Sequence, residues 1–202
     1  YAGRFTKPLT DLTDAARKVD KGEYDFDLDY DGDDEVGILT NTFKQLAAHT
    51  EENITSLNKR VYVDALTSVR NKAAYGNYIH MLQDKVDDPE ADPKFAFGVF
   101  DCDDLKMINY SFSHDKGDVY LKTACSLICR TFRHSPVFRI GGDEFAVILE
   151  NEDLKNRDEL IAQFRQARID LSEAAKDPWE EVHITMGLAV YDPETDPSVM
   201  DV

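Results

Sequence analysis

The chain is short of basic residues and of long apolar runs, and each shortage excludes a class of protein. Its 202 residues include 23 lysines and arginines against 40 aspartates and glutamates, which gives a formal net charge of −17. This charge argues against nucleic-acid polymers and anionic membrane surfaces as partners, because both are negative. No stretch is long enough to span a bilayer, and no signal peptide is visible.

Cysteine is also scarce, and the three that occur follow no disulfide pattern. Cys125 and Cys129 lie four apart on the apolar side of a predicted helix, and Cys102 follows an apolar run. Packing is therefore the expected use of the helical pair. An odd, unpatterned set of cysteines predicts a reducing, intracellular environment.

The most informative segment is the five residues 141–145, Gly-Gly-Asp-Glu-Phe. They join two apolar runs, 137–140 and 145–149, which predicts a β-hairpin with its turn at the glycines and acids. Glycine lets backbone approach a phosphate closely, and adjacent carboxylates can hold a hard divalent cation. Hairpin turns are often rich in Gly and Asp for backbone reasons alone. The complete string is far rarer than any of its parts.

A second acidic segment follows the apolar run 94–100, which predicts a buried strand. If this strand pairs beside the hairpin, Asp101 lies near Asp143 and Glu144. Three neighbouring carboxylates repel one another unless a cation lies among them, and oxygen ligands indicate Mg²⁺ or Mn²⁺. Mg²⁺ held in this way usually awaits substrate phosphates, so a single nucleotide is compatible with the negative chain.

Further motifs occur in a fixed order around these two segments. They are Asp64-Ala65-Leu66-Thr67 with Asn71, then 101–109 followed by His114 and Gly117-Asp118, then 182–189. With the Gly-Gly-Asp-Glu-Phe string, residues 64–191 resemble the GGDEF domain of diguanylate cyclases. These enzymes condense two GTP into cyclic di-GMP and release pyrophosphate.

The resemblance implies metal and catalytic roles for four residues. Asp101 and Asp143 would ligate Mg²⁺ or Mn²⁺, with the backbone carbonyl of Cys102 as a further oxygen. Glu144 would lie at or beside the metal pair. Asp143 would also help to deprotonate the ribose 3′-hydroxyl.

The resemblance also implies a GTP pocket. Asn109 and Asp118 would read the guanine edge with His114 near them, Lys106 would face the phosphates, and Gly142 would leave room for the nucleotide. A carboxylate at 118 can accept hydrogen bonds from guanine N1–H and its amine, which adenine does not offer. GTP is therefore expected over ATP.

Several positions depart from the family pattern. Leu105, assigned to the substrate pocket, and Ser113 and Tyr110 stand where the family usually has Phe, Gly and Asp, and Ser68 replaces a common Gly. Leu105, Ser113 and Tyr110 support an alternative, a catalytically inactive module that binds nucleotide or mediates dimerisation.

Two further family features are missing from this sequence. The product-inhibition motif R-x-x-D is replaced by 132–135, Phe-Arg-His-Ser, which predicts no feedback by cyclic di-GMP there. The sequence also stops before the family's last helix, so we expect this piece to bind GTP poorly or to be inactive.

The N-terminal sixty residues have a different pattern. Apolar residues recur at three- and four-residue steps in 9–19 and again in 43–61, which is coiled-coil spacing and implies pairing of two copies. Pro8 is expected in the first turn of the first helix. Phe26 and Leu28 are expected to anchor the acidic connector between the helices.

Pro8, Gly22 and the Asp-Glu-Val-Gly segment at 34–37, which would open the second helix, together resemble a HAMP domain. The alternative is a plain coiled-coil linker. HAMP units are parallel dimeric four-helix bundles that relay signals from a membrane helix. The resemblance implies a homodimer, an upstream transmembrane or sensor segment, and a cytoplasmic position in an inner-membrane protein, with this piece itself soluble.

The expected architecture is thus an all-α HAMP unit at 1–54, a connecting helix at 55–63 and an α/β (α+β) GGDEF domain at 64–202. The GGDEF domain should have a mainly antiparallel central sheet flanked by helices, as in the palm-like nucleotide cyclase fold. Helical spacing predicts helices at 115–132 and 153–175, and strict alternation predicts a strand at 182–190.

Overall fold

The computed structural model describes residues 3–202, and the side chains of all of these except 3–5 and 58–60. Two compact units divide the chain, Tyr1–Lys59 and Arg60–Val202. The first two residues of the predicted HAMP segment lie outside the described part. No helix among the described residues is both long and apolar enough to cross a membrane.

The first unit contains α1 (Gly3–Asp20) and most of α2 (Glu35–Tyr62). The prediction that Pro8 marks the first turn is wrong, because α1 begins at Gly3 and Pro8 lies inside it. The fixed φ of proline suits a helix, but inside one it removes a backbone hydrogen bond and its ring crowds the carbonyl four residues earlier. After α1, Gly22 adopts φ 81° and donates its N–H to the Val19 carbonyl at 3.0 Å. Glycine occupies this left-handed position without the strain that a Cβ brings.

The predicted start of α2 is confirmed. The Asp34 carboxylate accepts hydrogen bonds from the Gly37 N–H at 3.1 Å and from the Tyr30 hydroxyl at 2.6 Å. A Cβ at Gly37 would lie 1.6 Å from the Gly32 carbonyl oxygen, so only glycine fits there. The connector is therefore held against the first turn of α2.

The connector is anchored by the two apolar residues expected to do so. Leu28 is only 4% exposed, and the Phe26 ring lies 5.6 Å from the Phe43 ring. Further along α2, Ile54 and Leu57 are exposed. This open apolar face in a single copy agrees with the expected pairing, which stays a prediction.

The second unit is built on a five-stranded sheet with the order β1-β3-β4-β2-β5. Three of its four pairings are antiparallel, as predicted, and β1 pairs parallel with β3, so the sheet is mixed. The strands are β1 (Arg70–Asn71), β2 (Ala96–Cys102), β3 (Val137–Arg139), β4 (Glu144–Leu149) and β5 (Ile184–Val190). The predicted strand at 182–190 is thus two residues too long at its start.

Helices cover both faces of the sheet. One face packs on a core that includes Phe100, Ile128 and Phe164, and the other on a core that includes Leu82 and Phe138. The helices are α3 (Lys72–Asp87), α4 (Leu105–Ser111), α5 (His114–Thr131), α6 (Asn151–Lys155) and α7 (Arg157–Glu173). Burial of both sheet faces explains the long apolar run at 94–100.

The single helix predicted at 153–175 is wrong, because α6 and α7 separate at Asn156. A buried carboxylate holds the short helix α6 in place. Asp153 accepts hydrogen bonds from the His134 N–H at 3.1 Å and from the Ser135 hydroxyl at 2.7 Å. These contacts tie α6 to the loop before β3, and α7 begins after the break.

Candidate active site

The predicted hairpin is confirmed, with residues 140–143 between β3 and β4. The N–H groups of Ile140 and Gly141 both point to the Glu144 carbonyl, at 3.0 and 3.3 Å. A Cβ at Gly141 would lie 2.4 Å from a carboxylate oxygen of Glu144, whereas a Cβ at Gly142 would meet nothing within 4 Å. Gly141 thus makes room for the Glu144 side chain, and Gly142 faces open space. We call residues 141–143 the glycine tip.

Strand β2 lies beside the hairpin, as the sequence predicted. In the sheet register Asp101 is opposite Glu144 on one side and opposite Thr185 on the other. The Cys102 N–H donates to the Asp143 carbonyl at 2.9 Å. Asp101 ends up inside β2 instead of just beyond it, because β2 pairs with both neighbours as far as Cys102.

The expected acidic residues therefore lie together at one end of the strands, where β2 ends and β4 begins. Asp101 and Glu144 are exposed there, and Asp143 is half-buried. Within residues 3–202, no group of three His, Cys, Asp or Glu side chains is placed to hold a metal ion. The donor set nevertheless fits Mg²⁺, which commonly takes one or two carboxylates and completes its shell with water and substrate phosphates.

The Cys102 side chain lies on the core side of this end of the strands. Burial, together with the negative charges of Asp101 and Asp143, raises the pKa of its thiol to about 12. A protonated sulfur is a poor metal ligand, because the thiolate is the form that binds metals. Only a backbone oxygen of Cys102 is suited to the ligand role that the resemblance implies.

Arg139 connects the glycine tip to the opening motif at 64–67. Its guanidinium donates to the Asp64 carboxylate at 3.1 Å and to the Gly142 carbonyl at 2.6 Å. Asp64 also accepts from the N–H and hydroxyl of Thr67, at 2.8 and 2.6 Å. Burial alone would raise the pKa of Asp64, but the hydrogen bonds from Thr67 and Arg139 outweigh it and lower that pKa. The sequence analysis did not single out Arg139. A charged residue inside the otherwise apolar run Val-Phe-Arg-Ile could have indicated that its side chain has a partner.

A second missed residue, Tyr120, ties α5 to the ends of β2 and β5. Its hydroxyl oxygen lies 2.7 Å from the carbonyl oxygens of both Asp103 and His183 and accepts from the His183 N–H at 3.1 Å. Next to it, the Thr185 hydroxyl donates to the Asp103 carboxylate at 2.9 Å. The signal in the sequence was a tyrosine on an otherwise aliphatic helix face.

Asn109, which belongs to the predicted guanine pocket, lies against Gly117 on α5. Asn109 Oδ1 is buried and has no hydrogen-bond partner in the described part of the chain. A Cβ at Gly117 would lie 2.0 Å from that oxygen. A buried amide oxygen needs a hydrogen-bond partner. An orphaned amide of this kind suits a ligand-binding position.

The other predicted substrate residues, His114, Asp118 and Lys106, are exposed. His114 and Asp118 lie one turn apart on α5, next to the Asn109–Gly117 contact. Leu105 packs beside Gly117 as well, because a Cβ built on Gly117 would lie 3.2 Å from Leu105 Cδ1.

Three departures from the family pattern differ in their structural effect. Ser113 has φ 178°, which any residue adopts, and its hydroxyl accepts from the Lys116 N–H at 3.3 Å to cap α5. Ser68 instead has φ 62°, in the region that favours glycine. Tyr110 is 94% exposed and packs on nothing that would restrain it.

Residues 132–135, which stand where the family has its inhibitory motif, make contacts inside the protein. Phe132 is part of the core, and the Ser135 hydroxyl is bonded to Asp153. Both side chains are engaged inside the protein, and the expected lack of feedback by cyclic di-GMP stays a prediction.

Two family models match this chain. Residues 61–202 match the family model "Diguanylate cyclase, GGDEF domain", and residues 1–52 match the HAMP domain model. The chain belongs to the GGDEF family. Its HAMP match supports the interpretation of the first unit over a plain coiled-coil linker.

Two curated relatives show how far the GGDEF similarity extends. Diguanylate cyclase TpbB of Pseudomonas aeruginosa is 31% identical over 170 residues, which is 81% of this chain and 38% of TpbB. YhcK of Bacillus subtilis is 31% identical over 140 residues, 68% of this chain and 38% of YhcK. The chain thus spans less than two fifths of the length of either relative.

Solved structures share the fold. The coiled coil and GGDEF domain of Caulobacter crescentus DgcB, in complex with c-di-GMP, has a TM-score of 0.65 at 18% identity, over 79% of this chain and 84% of that one. The GGDEF domain of P. aeruginosa TpbB has a TM-score of 0.53 at 28% identity, over 68% and 79%. The second unit therefore has the GGDEF fold, a mixed sheet flanked by helices.

Proposed function

We propose that the chain is a diguanylate cyclase module that condenses two GTP into cyclic di-GMP with release of pyrophosphate, under control of its HAMP unit. The observation that carries this proposal is the sheet register, which places Asp101 opposite Glu144 beside the glycine tip. Carboxylates at one end of the strands, next to open space at Gly142, suit a metal-bound triphosphate.

Magnesium or manganese would be held by Asp101, Asp143 and the carbonyl of Cys102, with Glu144 at or beside the ion. When bound, the ion offsets the charge of the phosphates and so favours in-line attack on the α-phosphate. Asp143 would accept the proton of the attacking ribose 3′-hydroxyl. Arg139 would hold the tip that carries Asp143 through its bond to the Gly142 carbonyl.

Guanine would bind between α4 and α5. The orphaned Asn109 amide and the exposed Asp118 carboxylate would pair with the guanine edge, with His114 near them, and Leu105 would line the pocket. Lys106 would face the phosphates. Adenine would offer the Asp118 carboxylate no such pair of donors, and a carboxylate that the bound base covers without pairing it costs free energy.

One GTP per site implies that two copies face each other during the reaction. The HAMP unit and the exposed apolar face of α2 would bring the copies together, and a change in their packing would make or break the encounter. In the parent protein, an upstream membrane segment would supply the signal to this cytoplasmic portion.

A second candidate function is a nucleotide-binding or dimerisation module without turnover. Two observations favour it: Ser68 is strained where the family usually has Gly, and Tyr110 projects into solvent where the family usually has Asp. Neither change removes a carboxylate from this end of the strands.

The test is to incubate a version of the chain that carries the family's last helix with GTP and Mg²⁺ at high protein concentration and to measure cyclic di-GMP by mass spectrometry. We expect product from GTP and none from ATP. Asp143→Ala should abolish it, whereas Asp158→Ala, at the exposed start of α7, should not change it. Binding of GTP without product would favour the second candidate, and no binding at all would contradict both.

A further inference from the structure

A long groove runs between α5 and α7 on the surface of the second unit. Its central part has a volume of about 780 Å³. At one end Val119 and Ala174 line the same cavity, and at the other end Arg130 and Gln163 do so, which means that the two helices run antiparallel. The residues proposed above to bind metal or GTP do not line this groove. It is called the α5–α7 groove below.

The shape of the α5–α7 groove fits a helix. On α5 its lining residues recur every three to four positions from Val119 to Thr131, which is a distance of about 18 Å along the helix axis. On α7, Gln163, Ala167 and Leu171 recur at the same spacing. A third helix packs against two others by placing its side-chain ridges into a groove of this kind.

The floor of the groove is apolar. Leu127 is buried, Leu171 is half-buried, and the Val119 side chain is 45% exposed although it is apolar. Thr123 and Ala167 lie among these residues and are short enough to let another backbone approach. An amphipathic helix binds a groove of this kind by laying its apolar face on the floor.

The two walls of the groove carry opposite charges. Lys122 and Arg130 lie on the α5 wall, about 12 Å apart along the helix axis. Neither forms an ion pair with any described residue. Asp170 lies on the α7 wall, and its carboxylate accepts from the Gln166 amide at 2.7 Å. A small anion could pair with only one of the two cations, whereas a helix with two suitably spaced acids pairs with both.

We propose that the α5–α7 groove binds an amphipathic helix of a partner protein. The bound helix has its apolar face on the floor, two acidic residues on the edge toward α5, spaced to meet Lys122 and Arg130, and a basic residue on the edge toward Asp170. Complementary charges of this kind set the register of the bound helix and select the partner more than they add affinity. Because one helix in one groove buries less area than a standard interface, the complex is transient.

The experiment is to titrate the purified chain with a designed helical peptide. The peptide has leucines every three to four residues, two glutamates eight positions apart on one edge and a lysine on the other edge. Calorimetry and the fluorescence of Trp179, the single tryptophan, which lines the end of the groove, measure binding. We expect saturable binding in the micromolar range. A second peptide, in which glutamates and lysines are exchanged, should bind at least about tenfold more weakly.

Charge reversal tests whether the groove itself is the binding site. The double variant Lys122→Glu with Arg130→Glu should lose the first peptide, and with Asp170→Lys added it should bind the charge-exchanged peptide instead. The matched control is Lys72→Glu with Arg165→Glu, which changes the net charge equally at exposed positions that do not line the groove. This control should bind the first peptide like the wild type. Circular dichroism would confirm that each variant is folded.

Three outcomes would overturn the partner helix: no saturable binding of the first peptide, equal affinity for both peptides, or equal affinity of the groove variant and the wild type for the first peptide. Saturation of the groove by dodecanoate without binding of the peptide would assign it to a small amphiphile. A change in oligomeric state of the groove variant in sedimentation velocity, again without peptide binding, would assign it to a second copy. Both results would contradict the proposal.

Discussion

Replacing Arg139 with methionine should destabilise the second unit, because this side chain braces the glycine tip. Methionine keeps most of the aliphatic length and removes the charge and all donors. Two hydrogen bonds are lost, one to the Asp64 carboxylate at 3.1 Å and one to the Gly142 carbonyl at 2.6 Å. Both charged side chains are largely shielded, with 14% of Arg139 and 21% of Asp64 exposed.

The size of the effect follows from these contacts. A hydrogen bond to a charged group contributes roughly 1.5–3 kcal/mol net. The loss is partly offset, because Asp64 keeps both bonds from Thr67 and the Gly142 carbonyl becomes free to bind water. We therefore expect the free energy of unfolding to fall by about 3 kcal/mol. With a urea m-value of about 2 kcal/mol per M, the midpoint should fall by about 1.5 M.

Tryptophan fluorescence is the appropriate assay, since the chain has a single tryptophan, Trp179, in the second unit. The signal reports this unit and is not mixed with unfolding of the HAMP unit. The matched control is Arg165→Met on the exposed side of α7, which should move the midpoint by less than about 0.3 M.

A double-mutant cycle with Asp64→Asn separates the ion pair from general packing. If the two residues interact, the double variant should lose less unfolding free energy than the two single variants lose together, by more than about 1 kcal/mol. Additive losses of unfolding free energy would refute a direct interaction between Arg139 and Asp64. An Arg139→Met urea midpoint equal to that of the Arg165→Met control would refute a stabilising role for Arg139.

Four further predictions concern three single positions and the response to cyclic di-GMP. Ser68→Gly should raise the free energy of unfolding by about 0.5–1 kcal/mol in the same urea assay, because Ser68 has φ 62°; a loss would contradict this. The lowered pKa of Asp64 means that its contribution to stability is complete above its ordinary pKa near 4 and is lost as pH falls through the lower folded pKa. The difference in unfolding free energy between wild type and Asp64→Asn should therefore shrink below about pH 4, and a constant difference in urea titrations would oppose it. Gly117→Ala should weaken GTP binding in calorimetry at least about tenfold, because its Cβ would lie 2.0 Å from Asn109 Oδ1; unchanged affinity would place guanine elsewhere. Added cyclic di-GMP should not slow product formation, and a bound product in contact with Ser135 would show otherwise.

Local chemistry explains what the sequence could predict. The hairpin at 137–149 was predictable because its turn residues and flanking apolar runs are adjacent in the chain. The start of α2 at Glu35 was predictable for the same reason, since Asp34 and Gly37 act within one turn. The pairing of β2 with the hairpin was instead a condition of the metal-site hypothesis, and the sheet register meets that condition.

Long-range contacts explain what it could not. Arg139 meets Asp64 across 75 positions, and Tyr120 meets the His183 carbonyl across 63. No spacing rule connects such residues, because only the finished sheet brings them together. The break between α6 and α7 has a similar origin, since Asp153 is bonded to the loop before β3. The early start of α1 before Pro8 shows that proline limits a helix less strictly than its first-turn preference indicates.

The most direct test of the central claim is a crystal structure of the chain with a non-hydrolysable GTP analogue and Mn²⁺, using the anomalous signal of manganese. We expect an anomalous peak where β2 ends and β4 begins, roughly 2–2.5 Å from an Asp101 carboxylate oxygen, with the triphosphate beside Gly142. A nucleotide bound without a peak at Asp101, or manganese held away from Asp143 and Glu144, would contradict it.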